Sequence, residues 1–132
     1  MNTKNIHQTV TIDAPVGAVY KALTDSRLQS KITDSKAVIG RKVGSAFSVW
    51  GGGVNGITLL LAPNKRIVQA WRNEEWPAAH YSIVSFEFHR VGRATKLVFD
   101  QYGVPARALK GIADGWKAYY WNSLKELLET ND

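Results

Sequence analysis

Residues 109–129 read LKGIADGWKAYYWNSLKELLE, and the spacing of apolar side chains along this stretch decides the fold. Leu109, Ala113, Trp116, Tyr120, Leu124 and Leu127 recur at intervals of three and four, the signature of one face of an α-helix. Ile112 and Tyr119 flank that stripe on one side, Trp121 and Leu128 on the other. Asp114, Ala118, Lys125, Glu126 and Glu129 fall on the opposite face. The spacing predicts a helix of about five or six turns. So broad an aromatic stripe has to be covered, and the rest of the chain offers a sheet to cover it.

Upstream, the period is two rather than three or four. Strands are predicted at Ala37–Ile39, Ser45–Trp50, Val54–Leu61, Arg66–Arg72, Tyr81–Arg90 and Thr95–Gln101. Turns between them are marked by Gly40, Val43-Gly44, Gly51-Gly52-Gly53, Pro63-Asn64, Trp76-Pro77 and Val91-Gly92. Connections this short make neighbouring strands antiparallel. Before them, Gln8–Ile12 reads as a first strand, which gives about seven. Asp13-Ala14-Pro15 looks like a helix entry, with Asp13 as the cap and Pro15 in the first turn. Val16, Val19, Tyr20 and Leu23 follow at helical spacing, Thr24-Asp25-Ser26 ends that helix, and a second short one runs from Arg27 to Ile32. Strand, two short helices, six strands and a long helix make an α+β architecture, with helices gathered on one face of an antiparallel sheet.

Composition narrows the function classes. With 132 residues, 45% of them hydrophobic and 21% charged, the chain suits one globular domain. No cysteine is present, which removes disulfides, thiolate metal sites and cysteine nucleophiles. The polar stretch Met1 to Gln8 lacks the apolar centre of a signal peptide, and runs such as Leu59-Leu60-Leu61-Ala62 are too short to cross a bilayer. A cytoplasmic, water-soluble protein with no membrane partner is expected. The formal charge is +6, but the basic residues are scattered, with no run longer than two and no basic helix face. A solvated surface is expected rather than a nucleic-acid footprint.

The side chains also resemble a known family, over roughly residues 8–129. Asp13-Ala14-Pro15 stands before Val19-Tyr20-Lys21-Ala22-Leu23-Thr24-Asp25. Val43-Gly44 precedes Phe47, Gly56 precedes Leu61-Ala62-Pro63, and Ile67-Val68 is followed by Trp71-Arg72. Trp76-Pro77 with His80-Tyr81, Gly103-Val104-Pro105, and Gly115-Trp116 with Tyr119-Tyr120-Trp121 and Leu124-Lys125 complete the ordered set. This pattern resembles the C-terminal-type domain of the activators of heat-shock protein 90 ATPase, within the START-like, birch-pollen-allergen-like (SRPBCC) superfamily. The resemblance implies a helix-grip fold with one domain over residues 8–129, no catalysis and no cofactor. It also implies that the partner is a small apolar ligand, or a heat-shock-protein-90 homologue whose ATPase is modulated. In the eukaryotic activators the basic segment credited with activation lies in a separate N-terminal domain, and it has no counterpart within these 132 residues. Ser45 stands where the family often has a second glycine.

Four places could carry function. The first is the space between helix and sheet, whose expected lining is Phe47, Leu59, Trp71, Phe86, Phe99, Gln101, Trp116 and Tyr120, with Ile57, Ile67, Val84 and Leu97 beside them. Gln69, Gln101, Trp71 and Tyr120 are the polar anchors such a cavity would use. The alternative is that these rings close-pack the core. The second is Trp76 with His80, either an exposed partner-binding anchor or a turn whose indole folds over one end of the sheet, beside the acidic pair Glu74-Glu75. The third is a metal or hydrolytic site. His7, His80 and His89 stand alone in their segments, and Asp25, Asp34, Glu87 and Asp100 form no recognisable pair, so neither is expected. Enzymes do occur on this fold, which leaves a small cytosolic enzyme as the remaining alternative. The fourth is Gly51-Gly52-Gly53 with Gly56, which lacks the following helix of a phosphate loop and reads as a hairpin turn.

Overall fold

A computed structural model describes residues 2–40 and 42–129. Strand β1 (Thr3–Ile12) is followed by α1 (Val16–Thr24) and α2 (Ser26–Thr33). Five strands come next: β2 (Ala46–Val49), β3 (Val54–Ala62), β4 (Arg66–Asn73), β5 (Ser82–Val91) and β6 (Ala94–Pro105). They form a six-stranded antiparallel sheet in the order β1-β6-β5-β4-β3-β2. The C-terminal helix then runs as α3 (Leu109–Gly115), a π-helical segment (Trp116–Trp121) and α4 (Asn122–Glu129). The junction residues Gly115, Trp116 and Asn122 keep right-handed helical dihedrals, so the three pieces continue one another.

The sheet has six strands, not seven. Ala37–Ile39 is not a strand: Val38 makes an isolated antiparallel bridge with Ser48 and nothing more, because Ser26 and Ser30 Oγ take the neighbouring amides of Ile39 and Ala37 at 2.8 and 2.9 Å. Asp13 does not cap α1. The cap position is Pro15, with no side-chain hydrogen bond, and Asp13 instead donates its backbone N–H to Glu129 Oε2 at 2.7 Å. Asp25, expected only to break the helix, caps α2 by accepting from the Leu28 amide at 3.0 Å. The glycine run is a hairpin connection as expected: a 3₁₀ turn at Trp50–Gly52 joins β2 to β3, with Gly51 and Gly52 at φ of 64° and 101°.

One face of the curved sheet supplies the core. The registers stack Leu61, Ile67, Phe86, Phe99 and Gln8 in one cross-strand row and Thr58, Gln69, Val84, Gln101 and Ile6 in the next. Trp71, Phe86 and Phe99 from this face meet Trp116 of the C-terminal helix. Gly56 makes the wall thin enough for Phe47: a Cβ there would lie 1.8 Å from Ala70 O and 2.8 Å from the Phe47 ring.

The helical stripe is rotated relative to an ideal α-helix. Trp121 is buried while Tyr119, its expected counterpart on the other flank, is 67% exposed. The π segment explains this. An i→i+5 turn is wider than an α turn, which brings Trp116 and Trp121 onto the same side, where their rings stack at 5.4 Å and 24°.

Candidate functional site

The interior is built around the Trp116 indole. Its Nε1–H donates to Gln101 Oε1 at 2.9 Å, Gln101 Nε2 donates to Ser82 Oγ at 2.9 Å, and Ser82 Oγ donates to Trp71 O at 3.0 Å. The Gln29 amide faces the Tyr120 hydroxyl, with Nε2 at 2.8 Å and Oε1 at 3.0 Å. Trp121 Nε1–H donates to Gln8 Oε1 at 2.7 Å, and Gln8 Nε2 donates to Ala113 O at 2.9 Å. These polar groups satisfy one another, as buried groups must. Burial pushes the Tyr120 hydroxyl well above its ordinary pKa, against the opposing pull of the Gln29 hydrogen bond. At neutral pH it is therefore an uncharged donor.

Of the side chains expected to line a cavity, Phe47, Trp71, Phe86, Trp116 and Tyr120 border the gap between helix and sheet, with Gln29, Gln69 and Leu23. Phe99 and Gln101 lie deeper, fully buried against Trp116. Leu59 is outside. It alternates with the buried Gly56 and Thr58 of β3 and so faces outward, 44% exposed. Ile57 also points outward. The gap holds about 20 Å³, room for one water and no more. The rings close-pack the space that a small apolar ligand was expected to fill.

Trp76 is not an exposed anchor. It is only 7% accessible, packed against Trp71 at 5.5 Å and edge-on to His80 at 5.5 Å. The loop after β4 is tied down over the end of the sheet: Arg72 Nη2 donates to Trp76 O at 2.7 Å and to Pro77 O at 3.3 Å. His80 Nε2 lies 2.8 Å from Gly103 O, a hydrogen bond when that nitrogen carries the proton.

Beside this loop lies an opening that the sequence reading did not anticipate. A groove of about 820 Å³ separates Trp76 and Pro77 from the chain that enters the C-terminal helix, where Pro105 and Ile112 form the facing wall. Glu75 lines the loop side and Arg107 the helix side, with Asn2 and Asn73 between them. Gly103-Val104-Pro105 and the turn chemistry at Trp76-Pro77 were the available signals, but nothing in either segment says that the two face each other across space.

Neither the gap nor the groove brings together an acid–base pair. Among the described residues no group of three or more His, Asp or Glu could hold a metal ion, and no helix is long and apolar enough to cross a membrane.

The sequence model of one family, described as Activator of Hsp90 ATPase homolog 1-like protein, matches residues 13–129. The chain belongs to that family. Among this activator family's curated relatives, mouse activator of 90 kDa heat shock protein ATPase homolog 2 is 30% identical over 127 residues, 96% of this chain and 38% of the relative. Human homolog 1 is 29% identical over 108 residues, 82% of this chain and 32% of the relative. The chain thus spans about a third of the length of these relatives. Among solved structures, PFC0360w, an HSP90 activator from Plasmodium falciparum, superposes with a TM-score of 0.90 at 24% identity, covering 96% of both chains. MLL2253 from Mesorhizobium loti gives 0.84 at 26% identity, covering 98% of this chain and 99% of that one. The helix-grip fold of the activator family is the architecture of this chain.

Proposed function

We propose that this activator-family chain is a non-catalytic binding module that contacts a heat-shock-protein-90 homologue at the rim groove and modulates its ATPase. The observation that carries the reading is the contrast in space: about 20 Å³ beneath the helix against about 820 Å³ beside Trp76. This contrast supports recognition at the rim rather than beneath the helix. The names of the relatives supply the partner class. The groove supplies apolar walls at Trp76, Pro77, Pro105 and Ile112 with one charge of each sign at its edges, the make-up of a protein contact with an apolar centre and a polar rim.

The test is co-purification and ATPase turnover with a heat-shock-protein-90 homologue, at low and at physiological salt, since exposed charge contacts are screened over about 8–10 Å at such strengths. Wild type should co-purify and alter turnover, and Ile112→Glu should weaken both while keeping its fold. Unchanged turnover with no co-purification at either salt would overturn the proposal.

A small apolar or aromatic ligand is the second reading, moved from the filled interior to the groove, whose volume is that of ordinary small-molecule sites. A compound held there at one hundred times its dissociation constant raises stability by about 2.7 kcal/mol. A thermal-shift screen reads that directly, and no stabilising compound removes this reading without touching the first.

A further inference from the structure

We propose that the outer face of the sheet, the one turned away from the C-terminal helix, is a self-association surface on which two copies of this chain pack face to face. Ile57, Leu59, Leu60, Ile83 and Tyr102, each 38–48% exposed, lie on this face. They are half of the ten large apolar side chains that remain exposed among the described residues, and their gathering on one face marks a patch rather than a scatter. Leu59 faces outward by strand alternation, and the register shift between Thr58 and Leu60 leaves Leu60 exposed beside it, adding apolar area on the solvent side of the sheet.

The relief of the patch points to a second copy as its occupant. One cross-strand row reads Ala46, Ile57, Ala70, Ile83, Tyr102, each directly opposite the next in register. Small and large side chains alternate along the first four positions at the spacing of adjacent strands, about 4.8 Å. Such a row is self-complementary. A two-fold axis running between β3 and β4 seats Ile57 over the partner's Ala70 and Ile83 over the partner's Ala46, as an isologous contact requires. Two sheets stacked in this way interdigitate their side chains at about 10 Å, as in a β-sandwich.

Charge agrees. The chain carries +6 overall, which opposes self-association. The outward-facing charges on β4, β5 and β6 are Arg66, Arg72 and Lys96 against Glu87 and Asp100. Arg66 is held by Ser85, and Asp100 pairs with His7. These strands therefore add little to the net charge and present both signs to a partner with the same pattern.

Sedimentation velocity over micromolar to millimolar concentration tests the proposal. The expected result is a shift from monomer to dimer mass as concentration rises, stronger at high salt, where the net charge is screened. Ile83→Lys and, independently, Ala70→Glu, which fills the seat instead of removing the knob, should stay monomeric with unchanged circular dichroism. Ile112→Glu in the groove should dimerise as wild type does. A wild-type protein that remains monomeric throughout overturns the proposal, as do folded Ile83→Lys and Ala70→Glu variants that dimerise normally.

Discussion

Tyr120 holds a phenol in the middle of the aromatic cluster, and its burial has a consequence at high pH. In the unfolded chain a tyrosine ionises near pH 10, whereas the buried hydroxyl is pushed well above that value by desolvation. Above about pH 10 the unfolded state therefore binds fewer protons than the folded one, and stability falls as pH rises, by up to about 1.4 kcal/mol per pH unit from this group. Below that pH its contribution is intact. Urea unfolding midpoints measured from neutral to strongly alkaline pH should show the decline, and Tyr120→Phe should flatten it. A slope identical in the variant would mean that other groups cause it. Gln101 is the second test at this scale. Replacing it with Leu leaves the Trp116 N–H and Ser82 Oγ without their shared partner, at an expected cost of about 1–3 kcal/mol in chemical denaturation. Gln101 was legible because it shares strand parity with Leu97 and Phe99, so alternation alone turns it inward. Gln29 was not, since its partner Tyr120 lies 91 residues away in the chain.

Among elements, the C-terminal helix shows most clearly what a sequence can and cannot convey. Its length, apolar stripe and burial against the sheet follow from spacing alone, and Trp116→Ala should cost about 3–5 kcal/mol, as expected for a large buried aromatic ring. The π segment was not legible. Ideal α periodicity places Tyr119 and Trp121 symmetrically about the stripe, and only the competition for space around Phe99 and Phe86 decides that Trp121 goes in. The same limit explains Leu60, which alternation from the buried Thr58 would turn inward, because a bulge is settled by the partner strand's register; Leu59 needs no bulge, since it simply alternates with Thr58. Trp76 followed the other of its two readings, with Arg72 holding the loop carbonyls, a role no local pattern announces. The groove escaped because its two walls come from segments about thirty residues apart that carry no shared motif. Gly115 offers a gain at this scale. A Cβ built on it meets nothing within 4 Å, and its backbone is helical, at φ −63° and ψ −40°. Gly115→Ala should stabilise the protein by about 0.4–1 kcal/mol, mainly by restricting the unfolded chain, read as a higher melting temperature.

Across the whole molecule, contacts distant in sequence tie the first strand and the last helix together. Gln8 of β1 bonds Trp121 and Ala113 of the C-terminal helix, Asp13 meets Glu129, and Thr95 of β6 donates to Ala14 O. The indoles of Trp76, Trp71, Trp116 and Trp121 form a connected series of rings from the sheet-end loop through β4 to the helix. A helix bound in this way cannot leave without exposing that series and unpairing the partly buried amide of Gln8 and the buried amides of Gln29 and Gln101. The sheet, for its part, packs Phe86 and Phe99 directly on Trp116 and Trp121 of that helix. Unfolding should therefore be a single transition, with tryptophan fluorescence and far-ultraviolet circular dichroism giving the same midpoint in urea. Ending the chain after Trp121 removes Leu124, which is fully buried, together with Leu127 and Leu128, which pack on the core. The loss of three such side chains, at about 1.5–3 kcal/mol for each one fully buried, approaches the whole stability of an ordinary domain. The truncated chain is expected to lose cooperative unfolding altogether. A truncated protein that still melts sharply, or a fluorescence transition that precedes the loss of ellipticity, would show that the sheet stands without its helix.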